Sequence, residues 1–570
     1  MGFNTVYFDK YNPSSEKSTN ARQELAHLDY SPLKRVSGRS WAMGILISMG
    51  GMVFGYDTGQ ISGFLEMPDF LERFGQRHDN GDLYFSNTRS GLIVALLSIG
   101  TLIGALTAAP IADRFGRRPS ISFWSLITSI GFVIQIAADT AWYQIMIGRF
   151  VSGLGIGALS LLVPMYQAET APAWIRGALV SAYQLFITFG IFLAACFNYG
   201  TVTHQRHSSA SWRIVIGLGW LWTFILGVGI LSFPETPRHD WRTGNSTRAK
   251  ETLCRVYGAP ENHYAIYVQV EEIESKMRED GQVNDSGIRE FINMFKAPRM
   301  TYRIALGMVL QMFQQLTGAN YFFYYGTTIF QSVGINSFVT QVILNAINFG
   351  TTFIGLYIVE HYGRRKSLMG GSIWMFICFM IFASVGHFSL DRENPENTQG
   401  PGIALIIFAA LFILGFATTW GPQVWTLISE LYPSRYRAKA MALATASNWI
   451  WNFCIGFFSP FISQAIDFRY GYVFAACNII GGLIVYFFVI EGQGRTLEDI
   501  DTMYVAHVNP LKSEKWTPPS NGETMKIHRQ AGAETEADSS VDGGNVSDAT
   551  QASHPAEPAK DNGVLHRENV

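Results

Sequence analysis

The sequence predicts an all-α membrane protein: twelve transmembrane helices in two six-helix bundles, with a cytosolic helical linker between them. Three observations predict it. Of 570 residues, 48% are hydrophobic and only 15% charged, whereas soluble domains carry nearer a quarter charged residues. Twelve apolar runs are long enough to cross a hydrocarbon core of about 30 Å. The basic loop DRFGRRPS at 113–120 recurs as EHYGRRKS at 360–367, one copy in each half.

In chain order, residues 1–40 form a polar tail without the apolar core of a cleavable signal peptide, so the first span should insert and remain. Met1-Gly2 suggests myristoylation only superficially, because Val6 stands where Ser or Thr is required. The first bundle, 41–233, takes the runs near 41–63, 91–111, 121–138, 143–163, 177–198 and 214–233. The linker, 234–303, contains ENHYAIYVQVEEIESKMRED, which reads as an amphipathic surface helix. The second bundle, 304–490, takes the runs near 304–331, 338–359, 368–387, 402–429, 440–463 and 471–490. The tail, 491–570, turns rich in Gly, Ser, Pro and charge and is expected to be disordered from about 505.

Arginine and lysine collect in three short loops, Asp113–Arg118, Glu360–Lys366 and Arg435–Lys439, which the span count puts on the same side as both termini. That side should be the cytosol. The sequons at Asn245 and Asn545 then face inward and should carry no glycan. Cys196, Cys378, Cys454 and Cys477 lie in apolar stretches and Cys254 in a polar one, a pattern with neither a disulfide framework nor metal-ligand spacing. The net charge of −2 gives no reason to expect a nucleic-acid partner. No nucleophile, metal or cofactor pattern points to an enzyme.

The candidate site is the stretch LQMFQQLTGANYFFYYGTTIF, 310–330. Gln311, Gln314 and Gln315 fall at i, i+3 and i+4, so three amides share one helical face inside an apolar span. Gly318 and Asn320 follow where the helix can open if its freed backbone lines a cavity. Amides present both donors and acceptors, which suits the neighbouring hydroxyls of an uncharged polyol. A polar contact that merely joins helices is the competing interpretation.

Within the twelve runs, the residues charged at neutral pH are Asp57 and Arg149. Each costs about 2.5–3.5 kcal/mol at mid-membrane on insertion scales. Asp57 lies about 24 Å along the first span and Arg149 about 9 Å below the outer end of the fourth, so their depths permit pairing. Such a pair can serve proton coupling, opening to bind a proton and closing to release it. A static ion pair fixing two helices fits equally well. At the basic loops, Glu169 with Arg176 recurs as Glu430 with Arg437. Together with Asp113, Arg117, Arg118, Glu360, Arg364 and Arg365, they are candidates for a cytosolic latch between two rocking bundles. Positive-inside anchoring is the simpler role.

FGYDTGQISG, DRFGRRPS, GRFVSGLGIG, PMYQAETAPAWIRG, PETPR, QQLTGANYFFYYGTTIF, EHYGRRKS and SNWIWNF together resemble the sugar porters of the major facilitator superfamily, specifically the fungal hexose transporters, over about 41–504. That resemblance implies a plasma-membrane monosaccharide carrier, glucose foremost, working as a monomer in the bilayer by alternating access. Protons are a candidate co-substrate and no cofactor is implied. It also implies sugar contacts from Gln184, Gln314, Gln315, Asn320, Asn348, Asn448 and Asn452. Trp425 becomes a ring platform and inner gate, and Tyr324 and Tyr325 occlude the outer side. A glucose sensor with little transport of its own shares the same motifs. The sequence departs from the family after PETPR, at Arg238-His239-Asp240-Trp241, and after the last span. There Glu491-Gly492-Gln493-Gly494-Arg495 keeps an acid and an arginine without the usual proline.

Overall fold

A computed structural model describes residues 28–29, 38–79, 81–171, 173–281, 288–331, 336–391, 398–433, 436–493, 495 and 497–517. Residues Met1–Pro518 form one compact unit, and Pro519–Val570, a second unit, lies outside the described residues. Numbering only the spanning helices, the first bundle holds α1 (Gly38–Phe64), α2 (Asn87–Phe115), α3 (Arg117–Ile136), α4 (Trp142–Thr170), α5 (Ala173–Gln205) and α6 (Ala210–Gly229). The second holds α7a (Met300–Leu316), α7b (Ala319–Gln331), α8 (Ser337–His361), α9 (Arg364–Phe388), α10a (Gln399–Thr418), α10b (Trp420–Leu431), α11 (Arg437–Ile466) and α12 (Tyr470–Phe488).

Among the described residues, nine stretches are long and apolar enough to cross a membrane. One of them, Arg437–Phe488, contains both α11 and α12. The two expected spans missing from the nine carry the polar residues of interest. Asp57, Thr58 and Gln60 dilute α1, and the break between Leu316 and Ala319 divides the seventh span into pieces too short to count singly. The tenth span is also divided, at Thr419 (φ −127°, ψ −86°), a break its uninterrupted apolar run does not announce. Most of the helices outrun the apolar runs by a few residues at each end, because backbone pairing continues through polar residues in the headgroup region where apolarity stops.

Within the first bundle α2 packs on α4, α1 on α5 and α3 on α4. In the second, α9 packs on α10a and α12, and α7a on α11. The α2–α4 contact depends on small residues. A Cβ on Gly104 would stand 1.9 Å from the Leu154 carbonyl oxygen, and one on Gly157 2.0 Å from that of Thr101. In lipid, where apolar burial gives helices no net reason to associate, such close backbone approach supplies the packing energy.

The two bundles meet along α2–α11 and α5–α8. Phe189 and Phe192 of α5 stack near Phe349 of α8, with ring centroids 5.2 and 6.1 Å away. Toward the end remote from the basic loops, Ser62 of α1 bonds Thr327 of α7b at 2.9 Å, and Thr328 donates to Glu66 at 2.6 Å. Asn87 of α2 also bonds Gln464 of α11 there.

The linker forms Pro237–Arg242, Ser246–Tyr257, Tyr264–Gly281 and Ile288–Lys296, the third of these covering the predicted amphipathic stretch. The tail stays ordered past 505, where composition predicts disorder. Leu497–Val505 is helical, and a turn at Pro510–Lys515 buries Ser513 completely. Its helix buries Ile500, Met503 and Tyr504 in the core, and polar bonds add to this: Arg303 pairs with Asp501 at 2.6 Å, Lys366 with Glu514 at 2.6 Å, and the Glu491 amide donates to Ser513 at 3.1 Å. A few apolar residues and single polar bonds hold it, and composition averaged over the tail is blind to both.

Candidate functional site

Helix α7a presents Gln311, Gln314 and Gln315 on one buried face, as their spacing predicts. The helix then stops because Gly318 takes φ +93°, and a Cβ there would lie 2.8 Å from the rings of Phe379 and Phe474. Only glycine fits both the backbone and the space. The reversal brings Asn320 back so that its Nδ2 donates to Gln315 Oε1 at 2.5 Å.

Opposite stands α11, with Asn448 and Asn452 one turn apart. Asn448 Nδ2 donates to Gln311 Oε1 at 2.6 Å and to Gln314 Oε1 at 2.7 Å, while its Oδ1 accepts from Gln315 Nε2 at 2.9 Å. Asn452 Nδ2 donates to Gln315 Oε1 at 3.3 Å, and its Oδ1 accepts from Tyr324 at 2.8 Å and from Ser98 of α2 at 2.7 Å. Tyr325 donates to the Gly456 carbonyl at 2.5 Å. Gln314 Nε2 reaches the carbonyls of Trp420 and Gly421 at 3.2 and 3.0 Å, just past the break at Thr419.

Six amides from α7a, α7b and α11 are thus joined with Tyr324 of α7b and with Ser98 from the other bundle. Gln311 belongs to this network although the resemblance does not include it; the i, i+3, i+4 spacing was its signal. Ser98 had none, being a small hydroxyl in an apolar helix. The remaining predicted contacts lie apart from these bonds. Gln184 is half-buried on α5, Asn348 is buried on α8, and Trp425 is half-buried on α10b. Trp420, fully buried nearby, instead donates to Ser372 at 2.8 Å.

Asp57 and Arg149 do meet. An oxygen of Asp57 lies 3.7 Å from Arg149, and both side chains have no solvent exposure. Gln60 Nε2 donates to the other oxygen at 2.6 Å, whereas Asp57 Oδ2 and all three guanidinium nitrogens lack a hydrogen-bond partner. The attraction is therefore Coulombic without the hydrogen bonds that normally repay burial of two ions, a pair that a small displacement or a proton can separate.

At the basic loops Arg117 binds Glu169 at 3.2 Å and Asp113 at 3.1 Å, and Arg364 binds Glu430 at 2.7 Å. The two glutamates therefore reach the loop arginines, within one bundle each. Arg437 Nε donates to the Tyr432 carbonyl at 3.2 Å, and the side chains of Arg176 and Glu360 lie outside the described residues. Gly116 and Gly363 make the tight turns at φ +98° and +78°. Each turn delivers two amides to one carboxylate: Arg117 and Arg118 to Glu235 at 2.9 and 3.1 Å, and Arg364 and Arg365 to Glu491 at 3.0 and 3.1 Å. Arg365 also donates to the Tyr486 carbonyl at 2.6 Å. Glu491 therefore does at α9 what Glu235 does at α3, and the proline missing after the last span is not needed for it.

Comparison with known proteins places these features in company. The family model described as sugar (and other) transporter matches residues 43–504. A low-affinity glucose transporter of Kluyveromyces lactis is 44% identical over 481 residues, 84% of each chain. The high-affinity fructose transporter ght6 of Schizosaccharomyces pombe is 43% identical over 498 residues, 85% of this chain and 92% of that one. Among solved structures, the major facilitator superfamily proton:xylose symporter XylE of E. coli, bound to 6-bromo-6-deoxy-D-glucose, aligns with a TM-score of 0.65 and 26% identity. The alignment covers 82% of this chain and 99% of that one.

Proposed function

Since the chain belongs to the family of sugar (and other) transporters, we propose that it carries a monosaccharide, glucose foremost, across the plasma membrane into the cell by alternating access. It is a multi-pass membrane transporter of the major facilitator fold rather than an enzyme. One observation carries the choice of substrate: six carboxamides held in the membrane interior on α7a, α7b and α11, bonded to one another without a lysine or arginine among them. An amide that satisfies its neighbour can exchange that bond for a sugar hydroxyl at little net cost. Relatives named for glucose and for fructose support a hexose.

In this reading Gln314, Gln315, Asn320, Asn448 and Asn452 contact the sugar, with Gln184, Asn348 and Trp425 joining from the cavity's other walls. Tyr324 and Tyr325 close the outer side, as Ser62–Thr327 does farther out. Asp57 and Arg149 form the site for a coupled proton, supported by the likeness to a chain titled proton:xylose symporter. Both termini and the basic loops face the cytosol, and the carrier works as a monomer in lipid. The Arg117–Glu169 and Arg364–Glu430 pairs brace each bundle's cytosolic end, the surfaces that press together when the inner side closes. The similar proteins of Kluyveromyces lactis and Schizosaccharomyces pombe are named transporters, which argues against the sensor alternative.

The deciding experiment is radiolabelled glucose uptake in cells lacking their own hexose carriers, with and without a protonophore. Saturable uptake is the expected result, and none at all would favour the sensor. Loss of accumulation with the protonophore while exchange persists marks symport. A membrane potential of about 100 mV gives one proton about 2.3 kcal/mol, enough for about 50-fold accumulation of a neutral solute.

A further inference from the structure

At the end carrying the basic loops, the start of α7a, the end of α12 and the segment following Leu497–Val505 enclose a cleft of about 480 Å³. Its chemistry is divided between two ends. At one end Arg299 Nε donates to His507 Nε2 at 2.9 Å, a second contact joins the same two side chains, and the guanidinium lies 5.5 Å from the centre of the Tyr302 ring. At the other end Phe487 and Phe488 remain 53% and 46% exposed, and Leu511 also lines the cleft. No acidic side chain lines the cleft among the described residues.

Two further observations indicate that it is a built site. Of the three non-glycine residues with positive φ among those described, Arg299 (57°) and His507 (54°) are two. Backbone held in that region costs energy and persists where the surroundings impose it. The exposed face of α12, through Val473, Ile480 and Leu483, also runs directly into the phenyl end. On a spanning helix that face meets acyl chains, so an apolar track in the bilayer ends at a guanidinium and an imidazole.

We propose that this cleft binds an anionic phospholipid of the adjoining leaflet. Its phosphate sits on Arg299 and His507, and one acyl chain lies along the α12 face past Phe488 and Phe487. A free phosphate would use only the basic end and leave the apolar wall unmatched, whereas a zwitterionic lipid lacks the net charge that basic groups at a membrane surface attract. The proposal depends on the transport reading only for naming that leaflet cytosolic, so either can fail without the other.

The test is equilibrium binding of phosphatidylserine bearing a fluorescent acyl chain to the purified full-length protein in uncharged detergent. The Tm of each variant, measured alongside, serves as the folding control. Saturable binding is expected, displaced by unlabelled phosphatidylserine but not by phosphatidylcholine at equal concentration. Arg299→Gln should weaken it about fivefold, the worth of one basic residue at such a surface, and Arg299→Gln with His507→Gln further still. Leu511→Glu, at a position already 45% exposed, should weaken binding by placing a carboxylate at the mouth. Equal displacement by phosphatidylcholine, displacement by inorganic phosphate alone, or unchanged binding in the variants would overturn the proposal.

Discussion

Ser98 of α2 donates a hydrogen bond to Asn452 of α11 at 2.7 Å, tying the first bundle to the amide network of the second. The same oxygen accepts from Tyr324 at 2.8 Å, so one carboxamide links a cross-bundle contact to a tyrosine of α7b. Ser98→Ala removes a single neutral bond, about 0.5–1.5 kcal/mol, and should move the balance between transporter states roughly two- to tenfold away from the arrangement described here. Cysteine probes placed on the outer and inner faces read that shift. Asn452→Ala strips partners from Ser98, Tyr324 and Gln315 at once and should raise the KM for glucose by more than Ser98→Ala does.

Gln314 donates to two carbonyls at the start of α10b and accepts from Asn448. Gln314→Ala should cost about 1–3 kcal/mol, the range for a buried group left unpaired, seen as a KM for glucose raised about tenfold or more. An unchanged KM would remove this amide from the sugar site.

The Asp57–Arg149 pair predicts an asymmetry between single and double variants. Arg149→Gln leaves a buried carboxylate uncompensated, a loss of about 3–5 kcal/mol, and should lower both the yield of folded protein and uptake. Asp57→Asn combined with Arg149→Gln should recover the yield without recovering accumulation against a gradient. Equal yields from single and double variants would argue that the two charges are not coupled.

Glu491 receives two amides at the start of α9, where a carboxylate also meets the helix dipole. Glu491→Ala should destabilise the purified protein by about 1–2 kcal/mol, lowering its Tm. Glu491→Gln, which keeps the acceptor and loses the charge, should lower it less. Glu235→Ala is expected to match Glu491→Ala, since the two occupy equivalent positions.

At the opposite end, burial pushes the Glu66 carboxyl above the ordinary glutamate range, partly offset by its hydrogen bond from Thr328. A carboxyl whose pKa is higher when the outer side is closed binds protons more readily there. Closure should therefore strengthen as external pH falls through the raised value, and the gain is complete below the ordinary one. Glu66→Gln should close the outer side at neutral pH and flatten this dependence, measured as labelling of an outer-cavity cysteine between pH 4 and about 8. A pH profile identical to wild type would exclude Glu66 as its source.

Much of this protein is determined by order along the chain. Helix positions follow from apolar runs because a bilayer leaves backbone groups no partner except the helix itself. The amide face of α7a follows from i, i+3, i+4 spacing, and the turns at Gly116 and Gly363 from the repeated basic loop. Pairing across the chain had to wait for tertiary structure. Spacing placed Glu169 beside Arg176, whereas packing of α3 against α4 carries its carboxylate to Arg117. Apolarity ran unbroken through Thr419, yet the helix divides there, and Gln314 of α7a reaches the two carbonyls that follow. Ser98, Gln60 and the docked turn around Ser513 were silent for one physical reason. Periodicity reports which face of a helix is buried, but which polar atom waits on the neighbouring helix depends on how the helices are rotated and spaced, and that is settled only when they pack.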